Sequence, residues 1–300
     1  MEFRQIQYFA CLYEEGSVTR AARRLNIVQP ALSMQIAKLE DELGQQLFVR
    51  SPQGMHPTGE ARRLYHLFLP VITGFSQARE QARQADGELV GQVRVGMIAT
   101  ISQGVLVNAL MEFSGGHPKV ELSFVDGFSG GLSDAVALGH LDAAVINRPR
   151  RPLALHTEAI AEEDVVLVAG AGHAPLPQTL PFAELAALKL VLPTRQHGLR
   201  GIIESFALSE NVDLRPTVEI DSISAILRLV RESDFCTLLP TIAVREQLAQ
   251  GDLRACVISS PRLVRHIVCV TDPRRPLGAA AAAFMAVLAR HIQGLEKEKD

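Results

Sequence analysis

Residues 127–131 read Gly-Phe-Ser-Gly-Gly, a Gly-x-Ser-x-Gly spacing. In a hydrolase that spacing lifts a serine nucleophile onto a sharp turn between a strand and a helix. The neighbours suit such a turn, since VELSFVD before it reads as a strand and LSDAVALGHL after it as a helix. Acyl transfer needs more than the serine. An acid and then a histidine must follow, and an oxyanion loop must come before. Asp142 lies too soon after the helix, His197 and His266 have no triad context, and no HGGG-type loop precedes the serine. The alternative for Ser129 is a hydroxyl at a helix start, placed to cap that helix or to touch a ligand.

Other chemistries are weaker still. The nine histidines do not cluster, and no His-x₃-His pair or carboxylate partner marks a metal site. Cys11, Cys236, Cys256 and Cys269 are scattered through apolar stretches. Buried, reduced thiols are the plain reading, with a redox pair among the last three as the alternative. No residue pattern calls for a cofactor. The chain has 300 residues, 47% hydrophobic and 21% charged, which fits a globular protein of more than one domain. MEFRQIQYF has neither a basic n-region nor an apolar h-region, and no run of 18 apolar residues offers a membrane span. A cytoplasmic protein is the expectation. The net charge of −3 announces no nucleic acid, so charge has to be read by segment.

The first segment carries a local surplus of positive charge. Between Ser17 and Lys38 stand Arg20, Arg23, Arg24 and Lys38 with no acid; Glu14–Glu15 and Glu40–Asp41–Glu42 lie outside. Periodicity predicts a helix from Phe3 to Gly16, a short one capped by Ser17, a turn at Asn26, and a third from Val28 to Gly44 with Pro30 in its first turn. Leu32, Ile36, Leu39 and Leu43 stripe one face of the third helix. Pro30, Ser33, Met34, Ala37 and Lys38 lie opposite, small or polar enough to let it approach a surface. Two crossed helices with a short turn and a basic rim define a helix-turn-helix.

The stretch GSVTRAARRLNIVQPALSMQIAKLEDELGQQLFVRSPQGMHPTGEA resembles the DNA-binding segment of LysR-type transcriptional regulators. The shared elements are A-A-x-x-L, Q-P-A-L-S, L-E-x-E-L-G, L-F-x-R and the T-x-x-G-E wing return, the last with altered spacing as Thr58-Gly59-Glu60. The resemblance extends over the whole chain. It implies a winged helix-turn-helix at 1–58, a linker and dimerisation helix at 59–87, and a two-lobed α/β effector domain at 88–300, like a periplasmic binding protein. It implies double-stranded DNA as partner, with Gln29, Pro30 and Ser33 in the major groove and Gln35 beside them. Arg50 in the wing would reach the backbone or minor groove, and Arg20, Arg23 and Arg24 would hold phosphates. Two positions depart from the family pattern. Val28 stands where a capping serine is usual. Met34 stands where an arginine is frequent, so a thymine methyl replaces a guanine edge as its natural contact.

The linker reads as one long helix capped by Thr58 and stopped by Gly87, with a stripe of Leu64, Leu67, Phe68, Val71, Ile72, Phe75, Ala78, Ala82 and Ala85. The resemblance implies that this stripe pairs with a second copy, and that the assembly is a dimer or tetramer. Pro70 predicts a kink or break near 66–70. Beyond Glu88, β-rich runs alternate with helices, which argues for parallel α/β sheets. The resemblance implies lobe one at 88–161 plus 267–300, lobe two at 162–266, and a small-molecule effector between them. Strand ends should carry the contacts: Thr100 and Ser102, Ser129, then Thr194, His197 and Arg200 in PTRQHGLR, then Asp221 and Ser222 in EIDSISAI. Helix N-termini there favour an anion. Simple helix capping is the alternative for each hydroxyl. PTRQHGLR and EIDSISAI resemble the nitrogen-assimilation branch of the family. A serine hydrolase, or a partner-binding module with a DNA unit that no longer reads bases, are the competing functions.

Overall fold

The computed structural model describes residues 1–51, 54–83 and 88–297, with residues 77, 80–83 and 295–297 described by their backbone alone. The chain forms two compact units, residues 1–86 and 87–300.

The first unit is a winged helix-turn-helix. Helix α1 spans Phe3–Glu15 and ends on Gly16 at φ 58°. Helix α2 spans Val18–Arg24, and the Ser17 hydroxyl accepts from its Arg20 N–H. Asn26 takes the left-handed conformation at φ 53°, which makes the turn into α3 (Gln29–Leu43). Gly44 closes α3 at φ 65°. The wing is an antiparallel pair, β1 (Phe48–Ser51) and β2 (Gly54–Pro57). Gly54, at φ 130°, lies so close to α1 that a Cβ there would come within 2.6 Å of the Gly16 carbonyl oxygen. Only glycine lets the wing dock at that distance. Phe9, Leu12, Leu32, Leu39 and Leu47 fill the core. The Phe9 ring meets Phe48 at 5.6 Å and Phe68 at 5.8 Å.

Helix α4 runs from Gly59 to Arg83 with Pro70 inside it. The expected break does not occur. Leu64, Tyr65, Phe68 and Leu69, all N-terminal to the proline, are buried in the core of the unit. Each such side chain contributes roughly 1.5–3 kcal/mol, which together exceed the ~3 kcal/mol that an interior proline costs. The stripe divides into two. Leu64, Phe68 and Ile72 pack into the unit, whereas Leu67, Val71 and Phe75 stay half-exposed at 55%, 50% and 52%. The expected stop at Gly87 and the stripe residue Ala85 lie outside the described residues, as does the Ala82 side chain.

The second unit is mixed α/β. Its elements are β3 (Gly91–Met97), α5 (Ala99–Ile101), a π-helical turn (Ser102–Leu106), α6 (Val107–Gly116), β4 (Val120–Asp126), α7 (Ser129–Ala137) and β5 (Ala143–Asn147). There follow β6 (His156–Gly170), β7 (Thr179–Pro181), β8 (Val191–Leu192), α8 (Gly198–Ser209), β9 (Val218–Glu219) and α9 (Ile223–Glu232). Then come β10 (Cys236–Pro240), a 3₁₀ turn (Thr241–Ala243), α10 (Arg245–Ala249), β11 (Leu253–Ser259), β12 (Val264–Thr271) and α11 (Ala279–Lys297).

The expectation of parallel sheets needs correction. Strand β3 pairs in parallel with β4 and β5, but β12 is antiparallel to both β5 and β6, and β10 and β11 are antiparallel to β6. The antiparallel members arise where the chain crosses between two cores. Val93, Val95, Val145, Val268 and Phe284 belong to one core. Leu167, Val191, Leu199, Ile226 and Leu238 belong to the other. Strand β6 serves both: its first part pairs β12 and its last part pairs β10 and β11. The two cores are the centres of two lobes joined along β6 and β12.

All four cysteines are free and buried. Burial pushes their thiols up, that of Cys269 to about 12, which disfavours the reactive thiolate.

Candidate functional site

In α3 the apolar stripe turns inward and leaves a polar face to solvent. Leu32, Ile36 and Leu39 are buried. Gln29, Pro30, Ser33, Met34 and Lys38 are exposed, and Gln35 is half-buried. Val28, the N-cap, is 68% exposed and caps no N–H. The Val28 carbonyl accepts from the Ala31 and Leu32 N–H groups at 3.1 and 3.3 Å, and Pro30 has no N–H to satisfy, so the first turn is closed without a side-chain cap. Gln29 Nε2 donates to Thr19 Oγ1 at 3.1 Å, so α2 steadies the amide that leads the helix. Thr19 had no motif to mark it. Arg23 and Arg50 are exposed at the rim. Arg20 and Arg24 reach back to Glu15 and to the Glu14–Glu15 pair respectively.

A second cluster lies where the lobes meet. Thr100, Ser129 and Asn147 stand at the ends of β3, β4 and β5, and His197–Gly198 opens α8 in the other lobe. A Cβ on Gly198 would come 3.0 Å from Asn147 Nδ2 and 3.1 Å from Ser129 Oγ. The Phe128 and His197 rings meet edge to face at 5.8 Å. Arg150 donates across the gap to the Gly201 carbonyl. The lobes are thus closed on one another. Ser129 Oγ and Asn147 Nδ2 are buried at this contact without a hydrogen-bond partner. A buried polar atom left unpaired costs roughly 1–3 kcal/mol, which a ligand that supplies the partner would recover.

Beneath them sits Arg265, fully buried, with Nε and Nη2 on Glu163 Oε2 at 2.9 and 2.7 Å. Its Nη1 donates to Thr100 Oγ1 at 2.8 Å and to Asn147 Oδ1 at 3.4 Å. Glu163 Oε1 accepts from the Ile242 N–H at 2.6 Å. Arg265 and Glu163 face each other in the β12–β6 register. This network fixes the Asn147 amide so that its NH₂ is the end left over.

The remaining residues named from sequence have work within their own lobe. Arg200 is buried, with Nη1 on the Pro193 carbonyl (2.9 Å) and Glu219 (2.8 Å) and Nε on Glu204 (3.0 Å), so it fastens α8 to the β8–β9 edge. Thr194 donates its N–H and hydroxyl to Asp221 at 3.0 and 2.7 Å. Ser222 caps α9, and Ser102 donates to the Ala99 carbonyl. His197 caps α8, its Nδ1 accepting from the Leu199 N–H at 3.3 Å. Sequence reasoning missed Asn147, Glu163, Gly198 and Arg265. A signal existed for two of them: Asn147 is the last residue of a strand, where open sheets bind ligands, and Arg265 is a charge amid the apolar run of β12.

Ser129 lacks the marks of a nucleophile: its Oγ has no base as partner, and Ser129 does not take the positive φ that a strained elbow gives its serine. Among the described residues no group of three or more His, Cys, Asp or Glu could hold a metal, and no helix is long and apolar enough to cross a membrane.

A winged helix-turn-helix joined to a two-lobed α/β unit defines a DNA-binding transcriptional regulator with an effector-binding domain. The chain belongs to the LysR family. Residues 3–62 match the model of the bacterial regulatory helix-turn-helix protein, lysR family, and residues 86–293 that of the LysR substrate binding domain. It is 28% identical to the nitrogen assimilation regulatory protein nac of Klebsiella aerogenes, over 96% of this chain and 94% of that one. Identity to the Escherichia coli (strain K12) protein of that name is 29%, over 100% and 98%. The structure is similar to full-length OxyR from Pseudomonas aeruginosa, with a TM-score of 0.79 at 25% identity over 98% and 95% of the chains. CbnR complexed with its target DNA shares the fold, with a TM-score of 0.58 at 21% identity over 97% and 99%. These relatives are regulators, and this chain is not an enzyme.

Two outcomes follow from the lobe contact. Arg265→Met leaves the Glu163 carboxylate buried and unpaired, and should destabilise the second unit by about 3–5 kcal/mol in urea denaturation; adding Glu163→Gln should recover much of it. Burial, helped by Arg265 and opposed by Asp221, holds the His197 imidazole below its ordinary value. Its neutral form is the one that caps α8, so the stability it contributes is present above the unfolded value of about 6.5 and is lost as pH falls through the folded value. Melting temperature should drop as pH falls below about 6.5, and drop less in His197→Asn, which keeps a cap.

Proposed function

We propose that this regulator reads its promoter through α3 and answers to a small organic anion held where the two lobes close. The observation that carries the effector reading is the pair of buried, unpartnered groups, Ser129 Oγ and Asn147 Nδ2, set against the N-terminus of α8. Around them are hydroxyl and amide donors, the start of α7 and the start of α8. Donors and helix N-termini together favour negative charge. With the lobes parted, the anion would take Ser129, Asn147 and the Gly198 backbone as partners, with His197 and Thr100 at the edge; the closed gap at Gly198 barely admits a methyl group. In this reading Thr194, Arg200, Asp221, Ser102 and Ser222 shape the pocket wall.

The DNA contacts are those whose side chains α3 and its rim expose: Gln29, Pro30, Ser33 and Met34 toward bases, with Gln35 beside them. Arg20, Arg23, Arg24, Lys38 and Arg50 serve the backbone. The working division is 1–58 for DNA, 59–87 for the linker, 88–161 with 267–300 for lobe one, and 162–266 for lobe two. The half-exposed Leu67, Val71 and Phe75 supply the surface on which two linker helices pair, giving a dimer and, by further pairing, a tetramer. The protein works in the cytoplasm, where its DNA is.

A single set of full-length variants tests both halves. On its own upstream DNA, Gln29→Ala and Ser33→Ala should each weaken binding by about 1–3 kcal/mol without changing affinity for random DNA; equal affinity of the wild type for both DNAs would sink the base-reading role. In a thermal-shift screen, a small carboxylate at about 100 times its Kd should stabilise the wild type by about 2.7 kcal/mol. Asn147→Ala should lose that shift. Stabilisation by uncharged compounds alone would overturn the anionic effector.

A further inference from the structure

Arg20 and Arg24 lie four residues apart on α2, and both point their guanidinium groups at the last turn of α1. Arg24 Nη1 meets Glu14 Oε2 at 2.6 Å and Glu15 Oε1 at 3.3 Å. Arg20 Nε meets Glu15 Oε2 at 3.3 Å, and its Nη2 donates to the Glu15 carbonyl. Two carboxylates side by side thus present to two arginines much what a stretch of DNA backbone would. We propose that Glu14 and Glu15 are an internal stand-in for phosphate, a brake that lowers the affinity of the first unit for any DNA. The inference rests on the reading of Arg20 and Arg24 as phosphate contacts.

The asymmetry of the pairs supports it. The arginine side chains are 64% and 54% exposed, the acids 33% (Glu14) and 25% (Glu15). Glu14 Oε1 also accepts from the Tyr65 hydroxyl at 2.8 Å. Tyr65 is buried in the core and stacks on Tyr13 with ring centroids 4.1 Å apart. The acid is therefore pinned to the α1–α4 framework, while the arginines stand on long exposed stems that can swing. DNA binding must take each guanidinium from an acid and give it to a phosphate. Exposed pairs of this kind change an equilibrium by roughly two- to fivefold each. The acid left behind then recruits a cation, which cancels part of the counterion release at the phosphate and flattens the salt dependence.

The experiment measures Kd of the full chain for its upstream DNA and for random duplex across a salt series. Glu14→Gln and Glu15→Gln remove charge and keep length, and the glutamine at 14 still accepts from Tyr65. The double variant should bind both DNAs more tightly, by roughly 4- to 25-fold, with a salt slope steeper by up to about two units and an unchanged preference between the DNAs. Glu15→Gln alone, which leaves the Tyr65 contact intact, should give roughly two- to fivefold. Asp41→Asn, which removes an exposed charge from the end of α3, should do less. Unchanged or weaker binding with an unchanged slope, or an equal effect of Asp41→Asn, would overturn the brake. Arg20→Ala and Arg24→Ala separate the two levels. If they weaken binding to both DNAs while the glutamine variants do nothing, only the brake falls; if they too do nothing, the phosphate reading falls with it.

Discussion

The second unit depends on one buried ion pair. Arg265 and Glu163 oppose each other across β12 and β6 at the crossing between lobes. Desolvating both charges costs several kcal/mol per ion, and apolar residues of similar volume would often be as stable. Their connections show what the pair is for. Arg265 holds Thr100 and Asn147 of lobe one, and Glu163 holds the Ile242 N–H beside lobe two. The Ile242 carbonyl in turn leaves no room for a Cβ at Gly104, in the π-helical turn. Arg265 and Glu163 thus link Asn147 to the β12–β6 crossing and, through Ile242, to the π-helical turn.

The DNA-reading unit solves a different problem with rigid means. Packing of Phe9 against Phe48 and Phe68 locks α1, the wing and α4 together, so α3 is offered at a set angle. The face it offers is sparing in specific groups. Val28 caps nothing and Met34 reads no polar base edge, which leaves Gln29 and Ser33 as the polar leaders of the helix. The Thr19 contact to Gln29 fixes the direction of the amide before any DNA is present.

Much of this was legible in sequence because it is local. Gly16, Asn26 and Gly44 all take the left-handed backbone their positions suggested. The Leu32–Ile36–Leu39 stripe is buried, and VELSFVD is strand β4 residue for residue. What was not legible is long-range. Arg265 and Glu163 are 102 residues apart, and Asn147 and Arg265 are 118 apart, so no motif links them. The first half of strand β6 carries little strand signal in sequence, because His156 to Glu162 is mostly polar and exposed rather than an apolar run. Arg200 suggested an anion site, yet its partners Glu219 and Glu204 consume its charge inside the lobe. Pro70 does not break α4, because packing overrides what propensity alone would suggest.

Strand β6 has one further property. Its fifteen residues carry both lobes on a single run, and side chains alternate faces along it except at Ile160, where the register with β12 shifts by one residue. The parity of residue count between Ala161 and Val165 therefore decides which face of lobe two meets which face of lobe one. Gain or loss of one residue there would turn one lobe inside out relative to the other. In genetic terms the joint is sensitive to a change of length by one codon, so an exchange of whole lobes between relatives requires that spacing to be kept.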